Sequence, residues 1–307
     1  SLALGANPLA PPAVIDALAG RGTRETSFVV WDLRVPRTVV GLIAGAALGA
    51  AGALMQAFTR NPLADPGLLG VGAGAAFAVA LGVSLFGLSD PGEVVWPAFA
   101  GALLVTMAVS VIGASGPGGP VRLILAGVAL GAVLSGITTA ITLTDPEAFD
   151  RMRGWNAGSL LGAGLDDLGA IAPFVAAGAV LAFALAPGLN AMALGDDVAR
   201  SQGVNVGRIR IGVIVAVTLL AGAATAIAGP ISFVGLMIPH VVRWIVGPDQ
   251  RAVLPLSLLA GPVVVLAADI LGRVVIAPAE VPVGVVVAFV GAPLLIALAR
   301  RRTARAL

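Results

Sequence analysis

The charged residues that could act together are concentrated in one stretch, LGDDVARSQGVNVGRIR (Leu194–Arg210). It is the longest polar run between two strongly apolar segments, and its acidic and basic residues follow the spacing of a helix. Because the helix dipole favours acids in the first turn, Asp196 and Asp197 predict that a short helix begins there. A polar segment within so apolar a chain indicates contact with a partner in water. The alternative is a solvated loop with a capped helix and no partner.

The remaining residue types offer no catalytic constellation. The chain has one histidine, His240, no cysteine, and its 18 basic residues are all arginine. A lone histidine without closely spaced thiols or carboxylates makes no metal site, so we expect His240 to be packed near a helix kink. The absence of lysine excludes a Walker A loop and Schiff-base chemistry. Asp269 falls near the end of an apolar segment, and it is a functional candidate unless Arg273 pairs with it.

Composition sets the class of protein that positions these residues. The 307 residues are 58% hydrophobic and 11% charged, with a mean hydropathy of +1.03. A soluble domain of this size needs more polar cover, and apolar segments of about 20 residues are long enough to cross a bilayer. We therefore predict one all-α polytopic membrane domain over residues 1–307. Nine spans are predicted, at roughly 38–58, 68–88, 94–113, 121–143, 169–187, 211–229, 231–247, 253–272 and 282–299, of which the seventh is the weakest because of Pro239.

Arginine distribution predicts the orientation of these spans. If Arg34 lies outside, eleven of the 18 arginines fall in inside segments, as the positive-inside rule favours. The C-terminal RRRTAR is then cytoplasmic, and an odd number of spans leaves Ser1 outside. Since Ser1 is not an initiator methionine, we also expect that a preceding helix is missing from this sequence. The net charge is only +2, so no nucleic-acid partner is indicated.

Small residues predict where helices pack closely. Gly41, Gly45 and Gly49 recur at every fourth position, and Gly127 and Gly131 repeat the spacing. Such faces let helix backbones approach in a membrane, where lipid offers no hydrophobic drive.

The fourth span has a row of hydroxyl groups, on Ser135, Thr138, Thr139 and Thr142. Their spacing puts them near one helix face. They either bond their own helix carbonyls or form a polar lining, and the sequence leaves both interpretations open.

Four long motifs resemble a known family. They are RVPRTVVGLIAGAALGAAGALMQAFTRNPLADPGLLGVGAGAA (residues 34–76), LILAGVALGAVLSG (123–136), GPISFVGLMIPHVVR (229–243) and AEVPVGVVVAFVGAPLLIALAR (279–300). Together they resemble the permease subunits of the iron-siderophore, haem and vitamin B12 ABC importers, almost end to end and in order. Members of that family have ten membrane helices, so the resemblance implies that the first is missing here.

The resemblance implies a type II importer with several partners: cytoplasmic ABC ATPases, an extracytoplasmic substrate-binding protein, and a second permease subunit, identical or similar. It implies that residues 194–210 form the cytoplasmic coupling loop that contacts the ATPase, with Gly203 in a turn of positive φ. The coupling residues are then Gly195, Asp196, Asp197, Ala199, Arg200, Gly203 and Val204.

The resemblance also implies an outer and an inner site. Arg34, Arg37 and Arg273 match outward-facing arginines that pair with glutamates of the binding protein, although they could instead be membrane anchors. The cytoplasmic narrowing of the pathway matches Leu134, Ser135 and Gly136, with Thr138 and Thr142 as further lining.

We therefore expect a multi-pass permease of the cell (inner) membrane that imports iron complexes by alternating access. It would not itself be an enzyme and would need no cofactor or metal. The expected cargo is a ferric siderophore, with haem and cobalamin as alternatives. An ion-coupled secondary transporter or a membrane enzyme would need carboxylates or acid–base groups within the spans, where Asp269 comes nearest.

Overall fold

The computed structural model describes residues 1–5, 8–114 and 119–303, and within these ranges the chain forms helices and no strands. The predicted all-α class is confirmed. The first elements are α1 (Pro11–Leu18), α2 (Arg24–Phe28), a short π-helix (Val29–Arg34), α3 (Val35–Thr59), a 3-10 helix (Pro66–Leu69), α4 (Val71–Phe86), α5 (Val95–Ala114) and α6 (Gly119–Thr144). They are followed by α7 (Pro146–Asn156), α8 (Leu165–Ala193), α9 (Asp196–Ser201), α10 (Val206–Ala228), α11 (Val234–Val246), α12 (Gln250–Val275) and α13 (Val283–Thr303).

Each predicted span has a helix in the structure. Six helical segments of the described chain are long and apolar enough to cross a membrane, and three shorter apolar helices complete the set. The first span begins earlier than predicted, because α2, the π-helix and α3 join into one segment from Arg24 to Thr59. Charged residues such as Asp32 lower the local hydropathy, so the hydropathy of the sequence did not indicate this extension. The side chains of Arg300, Arg301, Arg302 and Arg305 lie outside the described residues.

The centre of the fold is the antiparallel pair α3 and α12. A Cβ atom added to Gly49 would lie 2.2 Å from the carbonyl oxygen of Ser257, and one added to Gly45 would lie 2.6 Å from the backbone nitrogen of Pro262. The backbones therefore meet where no side chain fits, which confirms the packing prediction for this glycine row. A Cβ atom added to Gly127 would likewise lie 2.0 Å from the carbonyl oxygen of Leu68.

Helix α11 is short and depends on α3 for a hydrogen bond. Pro239 has no N–H group, so the carbonyl of Gly235 loses its partner within the helix. The side-chain amide of Gln56 in α3 donates to Gly235 O at 3.2 Å and to Leu236 O at 3.0 Å. Arg243, one turn further along α11, donates to Gln56 Oε1. The buried Gln56 side chain thus supplies the donor that Pro239 lacks. This contact is favourable because an unpaired carbonyl in an apolar setting costs free energy.

Helix α7 was not predicted. Its segment is charged and was assigned to an outer loop, but Asp145 accepts hydrogen bonds from the backbone N–H groups of Glu147 and Ala148 and so caps a helix that buries Ala148 and Met152. The helix borders a cavity of about 350 Å³ that is also lined by α4 and α10. Capping and one apolar stripe, rather than overall hydropathy, are the signals that could have identified it.

The helices bring the loops together at two ends. One holds Arg37 and Asp269, and we call it the Asp269 end. The other holds residues 60–65, 190–205 and 247–250, and we call it the Asp196 end. Three of the loops that the arginine count places inside thus gather at one end, and the assignment of that end to the cytoplasm stays a prediction.

Candidate coupling and docking sites

The predicted coupling loop is a folded helical turn. Gly195 precedes α9 with a φ of 113°, a backbone conformation open to glycine. At the other end Gly203 has a φ of 79°, its N–H donates to Arg200 O at 2.9 Å, and the N–H of Val204 donates to Ala199 O at 3.0 Å. This is a Schellman termination, which needs the left-handed conformation at the glycine. The predicted positive φ at Gly203 is confirmed.

A small apolar core supports this loop. Ala199 and Val206 are buried against Met192 at the end of α8, with Val204 and Ile209 packed around them. Ala199 is fully buried, so it holds the loop together and offers no surface to a partner. The exposed apolar residues are Leu194 and Val198, at 67% and 42% exposure. Sequence reasoning did not single out these two residues, whose apolar side chains lie exposed beside the charged residues of the loop.

The two neighbouring aspartates of α9 have different partners. Asp196 Oδ1 accepts from the guanidinium of Arg60, and Asp196 Oδ2 accepts from Arg210 Nη2 at 2.5 Å. Asp197 is 97% exposed and pairs with Arg200 at 2.9 Å within the same helix. The two acids share the start of a helix, but Asp196 pairs with arginines beyond that helix and Asp197 pairs within it.

Loops beside α9 complete the Asp196 end. An open groove of about 400 Å³ runs between the end of α9 and the start of α10, where Asn205 accepts from the N–H of Arg208. Asp249 caps α12, and hydrogen bonds from the Arg251 N–H and the Asn190 side chain hold the pKa of Asp249 below its usual range. Burial raises the pKa of Asp65, against a hydrogen bond from the Gly67 N–H.

The three predicted docking arginines come together at the Asp269 end. Arg37 contacts Asp269 at 2.7 Å and Glu280 at 2.7 Å, and Arg273 contacts the other oxygen of Asp269 at 2.7 Å. Arg34 donates to the carbonyl oxygens of residues 2 and 3. The first and eighth predicted spans therefore meet at one rim, as the docking hypothesis requires.

Burial changes how these arginines can act. The side chains of Arg37 and Arg273 are 10% and 3% exposed, and Asp269 is 1% exposed, whereas Glu280 retains 30%. Asp269 is thus neutralised by two guanidinium groups, which supports its structural role and removes the nearest candidate for an ion relay. Docking by the arginines stays a prediction, and Glu280 is the exposed edge through which a partner would reach Arg37.

The predicted pathway residues of α6 do not share one environment. Ser135 and Gly136 lie on an exposed face, and a Cβ added to Gly136 meets no atom within 4 Å. Leu134 and Thr138 are buried within the subunit, which corrects the inference that Thr138 shares a face with Ser135. The hydroxyl of Thr142 bonds the carbonyl of Thr139 in its own helix at 3.0 Å, as one of the two interpretations expected.

His240 is packed, as predicted. It is 5% exposed, lies directly after Pro239, and its ring meets Trp244 edge-on with centroids 5.1 Å apart.

Comparisons with known proteins agree with this architecture. Residues 1–301 match the model of the FecCD transport family. The chain is 51% identical over 306 residues to the ferric enterobactin transport system permease protein FepD of Escherichia coli (strain K12), covering 99% of this chain and 91% of that protein. It is 41% identical to the probable siderophore transport system permease protein YfiZ of Bacillus subtilis (strain 168), covering 91% and 84%. A solved structure described as an inward-facing metal-chelate type ABC transporter superposes with a TM-score of 0.82 at 27% identity, covering 94% of this chain and 95% of that chain.

Proposed function

This chain belongs to the FecCD transport family, and from that premise we propose that it carries a ferric siderophore across the membrane in an ABC importer. It is the multi-pass permease subunit and not itself an enzyme. The observation that carries the cargo proposal is the 51% identity, over almost the whole chain, to a permease named for ferric enterobactin. Haem and cobalamin remain the alternatives.

The cargo is tested by uptake. Cells that lack their own siderophore permeases would express this chain with its cognate ATPase and binding protein, and would be supplied in parallel with a radiolabelled ferric siderophore, haem or cobalamin. We expect uptake of the siderophore alone. Uptake of haem or cobalamin in its place would overturn the cargo.

We place the Asp196 end in the cytoplasm, against the ATPase. Support comes from its arginines, its exposed Leu194 and Val198, and the groove beside α9. On this orientation the C-terminus is cytoplasmic too. A single cysteine at Ser201 should react with an impermeant thiol reagent only from inside, and one at Asp166 only from outside.

Coupling through α9 can be tested with two glycines that both have a positive φ and open space around them. Gly203 has a φ of 79° and Gly87, which ends α4, has a φ of 65°, and an added Cβ meets no atom within 4 Å at either position. Valine resists this conformation at both sites. We expect Gly203→Val to abolish the stimulation of ATP hydrolysis by loaded binding protein, while Gly87→Val retains it. Equal loss in the two variants would contradict the coupling role.

We propose that Arg34, Arg37 and Arg273 dock the binding protein, with Glu280 as their internal competitor. Removing the Glu280 charge leaves the outer edge of Arg37 free for a partner's carboxylate. Glu280→Gln should therefore tighten binding of the binding protein to the permease in nanodiscs about two- to fivefold, the effect of one exposed ion pair. Asp16→Asn is the control, since it removes an exposed acid that pairs with Arg21 at 3.6 Å. Unchanged or weaker binding by Glu280→Gln would identify the cluster as purely internal.

A second permease subunit is supported by α6. Only 17% of its most apolar 18-residue window is buried, against 72% in α10. We propose that this face, with Ser135 and Gly136, meets the pathway between two subunits.

A further inference from the structure

The ion pairs around Asp196 indicate a structural connection that its position at the start of α9 would not by itself suggest. It is the first residue of α9, where an acid would ordinarily act through the helix dipole. Here each carboxylate oxygen instead accepts a guanidinium from another helix, Oδ1 from Arg60 and Oδ2 from Arg210. Both oxygens are engaged inside the subunit, so Asp196 faces its own helices, whereas Asp197 beside it is 97% exposed.

The two arginines sit where movement of α9 would reach the membrane domain. Arg60 ends α3, the helix that packs along α12 and carries Arg37 at its other end. Arg210 lies in the first turn and a half of α10, which also packs on α3. If α9 is displaced and both ion pairs stay intact, α3 and α10 must therefore move with it or take up the force together.

Arg60 adopts a backbone conformation that arginine seldom takes. Its φ is 51° and its ψ is 30°, the left-handed region where glycine or asparagine ends helices most readily. A residue held there costs about 1–3 kcal/mol and persists only when its surroundings require it. The contact with Asp196 is such a requirement, because the side chain leaves α3 towards α9.

We propose that Asp196 is a positioning residue that ties the ATPase-contacting helix α9 to α3 and α10, so that work done on α9 reaches the transport pathway. This inference rests on the proposed function, and it adds the connection within the permease. Leu194, Val198 and Asp197 then form the partner surface, and Asp196 with Arg60 and Arg210 forms the link behind it.

Matched changes of two aspartates provide the test. In the complete importer, Asp196→Asn should lower the amount of cargo transported per ATP hydrolysed by about fivefold or more, the lower end of typical coupling between sites. Asp150→Asn is the same change at an exposed acid of α7, which pairs with Arg153 of its own helix at 4.0 Å, and it should leave this ratio within twofold of wild type. Asp196→Glu should restore most of the ratio. The melting temperature should fall only slightly and the affinity for the ATPase should not change, whereas a merely structural role would lower uptake and hydrolysis in proportion.

A double-mutant cycle separates a link from two independent partner contacts. Arg60→Gln and Asp196→Asn remove the same ion pair, so the double variant should lose no more than the single Asp196 variant. Losses that multiply would mean that each residue contacts the ATPase by itself, and the inference would be wrong. Equal transport ratios in the Asp196 and Asp150 variants would also overturn it.

A second readout needs neither ATPase nor cargo. With a spin label on Gln202→Cys, in a chain with no native cysteine, Asp196→Asn should increase the mobility of α9 in nanodiscs and Asp197→Asn should not. If the wild-type complex transports no ferric siderophore, the proposed cargo fails and the mobility comparison still decides the link. Equal mobility in both variants would overturn the link itself.

Discussion

Two aspartates at opposite ends of the subunit make the same connection in different surroundings. Asp269 bridges Arg37 of α3 and Arg273 of its own helix α12, and it is 1% exposed. Asp196 bridges Arg60 and Arg210, and its side chain is 23% exposed. Each joins two guanidinium groups through one carboxylate, and α3 contributes an arginine to each.

The difference in burial implies that the ion pairs of Asp269 are harder to break than those of Asp196. Breaking a buried ion pair leaves a charge without compensation, which costs about 3–5 kcal/mol. An exposed pair contributes about 0.2–1 kcal/mol and is screened by salt. The chemical motif alone therefore does not determine its role. The joint at the Asp269 end is therefore expected to be rigid, and the one at the Asp196 end to break more easily.

The largest expected effect is at the buried joint. Asp269→Asn keeps the side-chain volume and leaves Arg37 and Arg273 against a neutral amide, so we expect a loss of about 3–5 kcal/mol in the free energy of unfolding. Reversible unfolding in mixed micelles would measure it. The matched Asp196→Asn change should cost at most about 1 kcal/mol. Equal losses at the two ends would break the comparison.

An intermediate effect is expected between the ends, where α3 and α12 pack backbone to backbone. Gly45→Ala puts a Cβ 2.6 Å from the Pro262 nitrogen, and such overpacking costs about 1–3 kcal/mol. Gly72→Ala in α4 is the control, because its Cβ would meet no atom within 4 Å and alanine favours the helix. Thermal unfolding of the two variants should shift in opposite directions. A loss in both would indicate that helix propensity, not contact, controls these sites.

The smallest effect is the response to salt. Raising ionic strength from 0.1 to 1 M shortens the Debye length from about 10 to about 3 Å, which screens exposed pairs much more than buried ones. The stability difference between wild type and Asp196→Asn should shrink towards zero, and that of Asp269→Asn should remain. Unfolding measured at both salt concentrations tests this, and a salt-insensitive Asp196 pair would show that it is as well shielded as Asp269.

The helices were predictable from hydropathy, and their long-range joints were not. The third span was predicted at 94–113 and is found at Val95–Ala114, because its apolar run stops where the helix does. Helix α8 was predicted as 169–187 but runs from Leu165 to Ala193, since Asp166 and Asn190 are polar residues within a helix. The Arg273–Asp269 pair was foreseeable from its i, i+4 spacing.

The contacts that join the helices cross large sequence separations. Arg60 lies 136 residues before Asp196, and Gln56 lies 179 residues before Gly235. Nothing in the local pattern around either residue indicates its partner. The turn at Gly203 was predictable because the required backbone conformation is a local property, whereas the ion pairs depend on how the helices assemble.

The repaired proline break in α11 also bears on how the chain is assembled during synthesis. Thirteen residues span only about 20 Å, less than the bilayer core of about 30 Å, and Pro239 leaves the Gly235 carbonyl without a partner inside the helix. Lipid offers no donor to satisfy it, but Gln56 of α3 does. Because α3 is synthesised before α11, its Gln56 side chain can already be in the bilayer when α11 is inserted. We therefore expect α11 to enter the membrane against α3 rather than as an independent span.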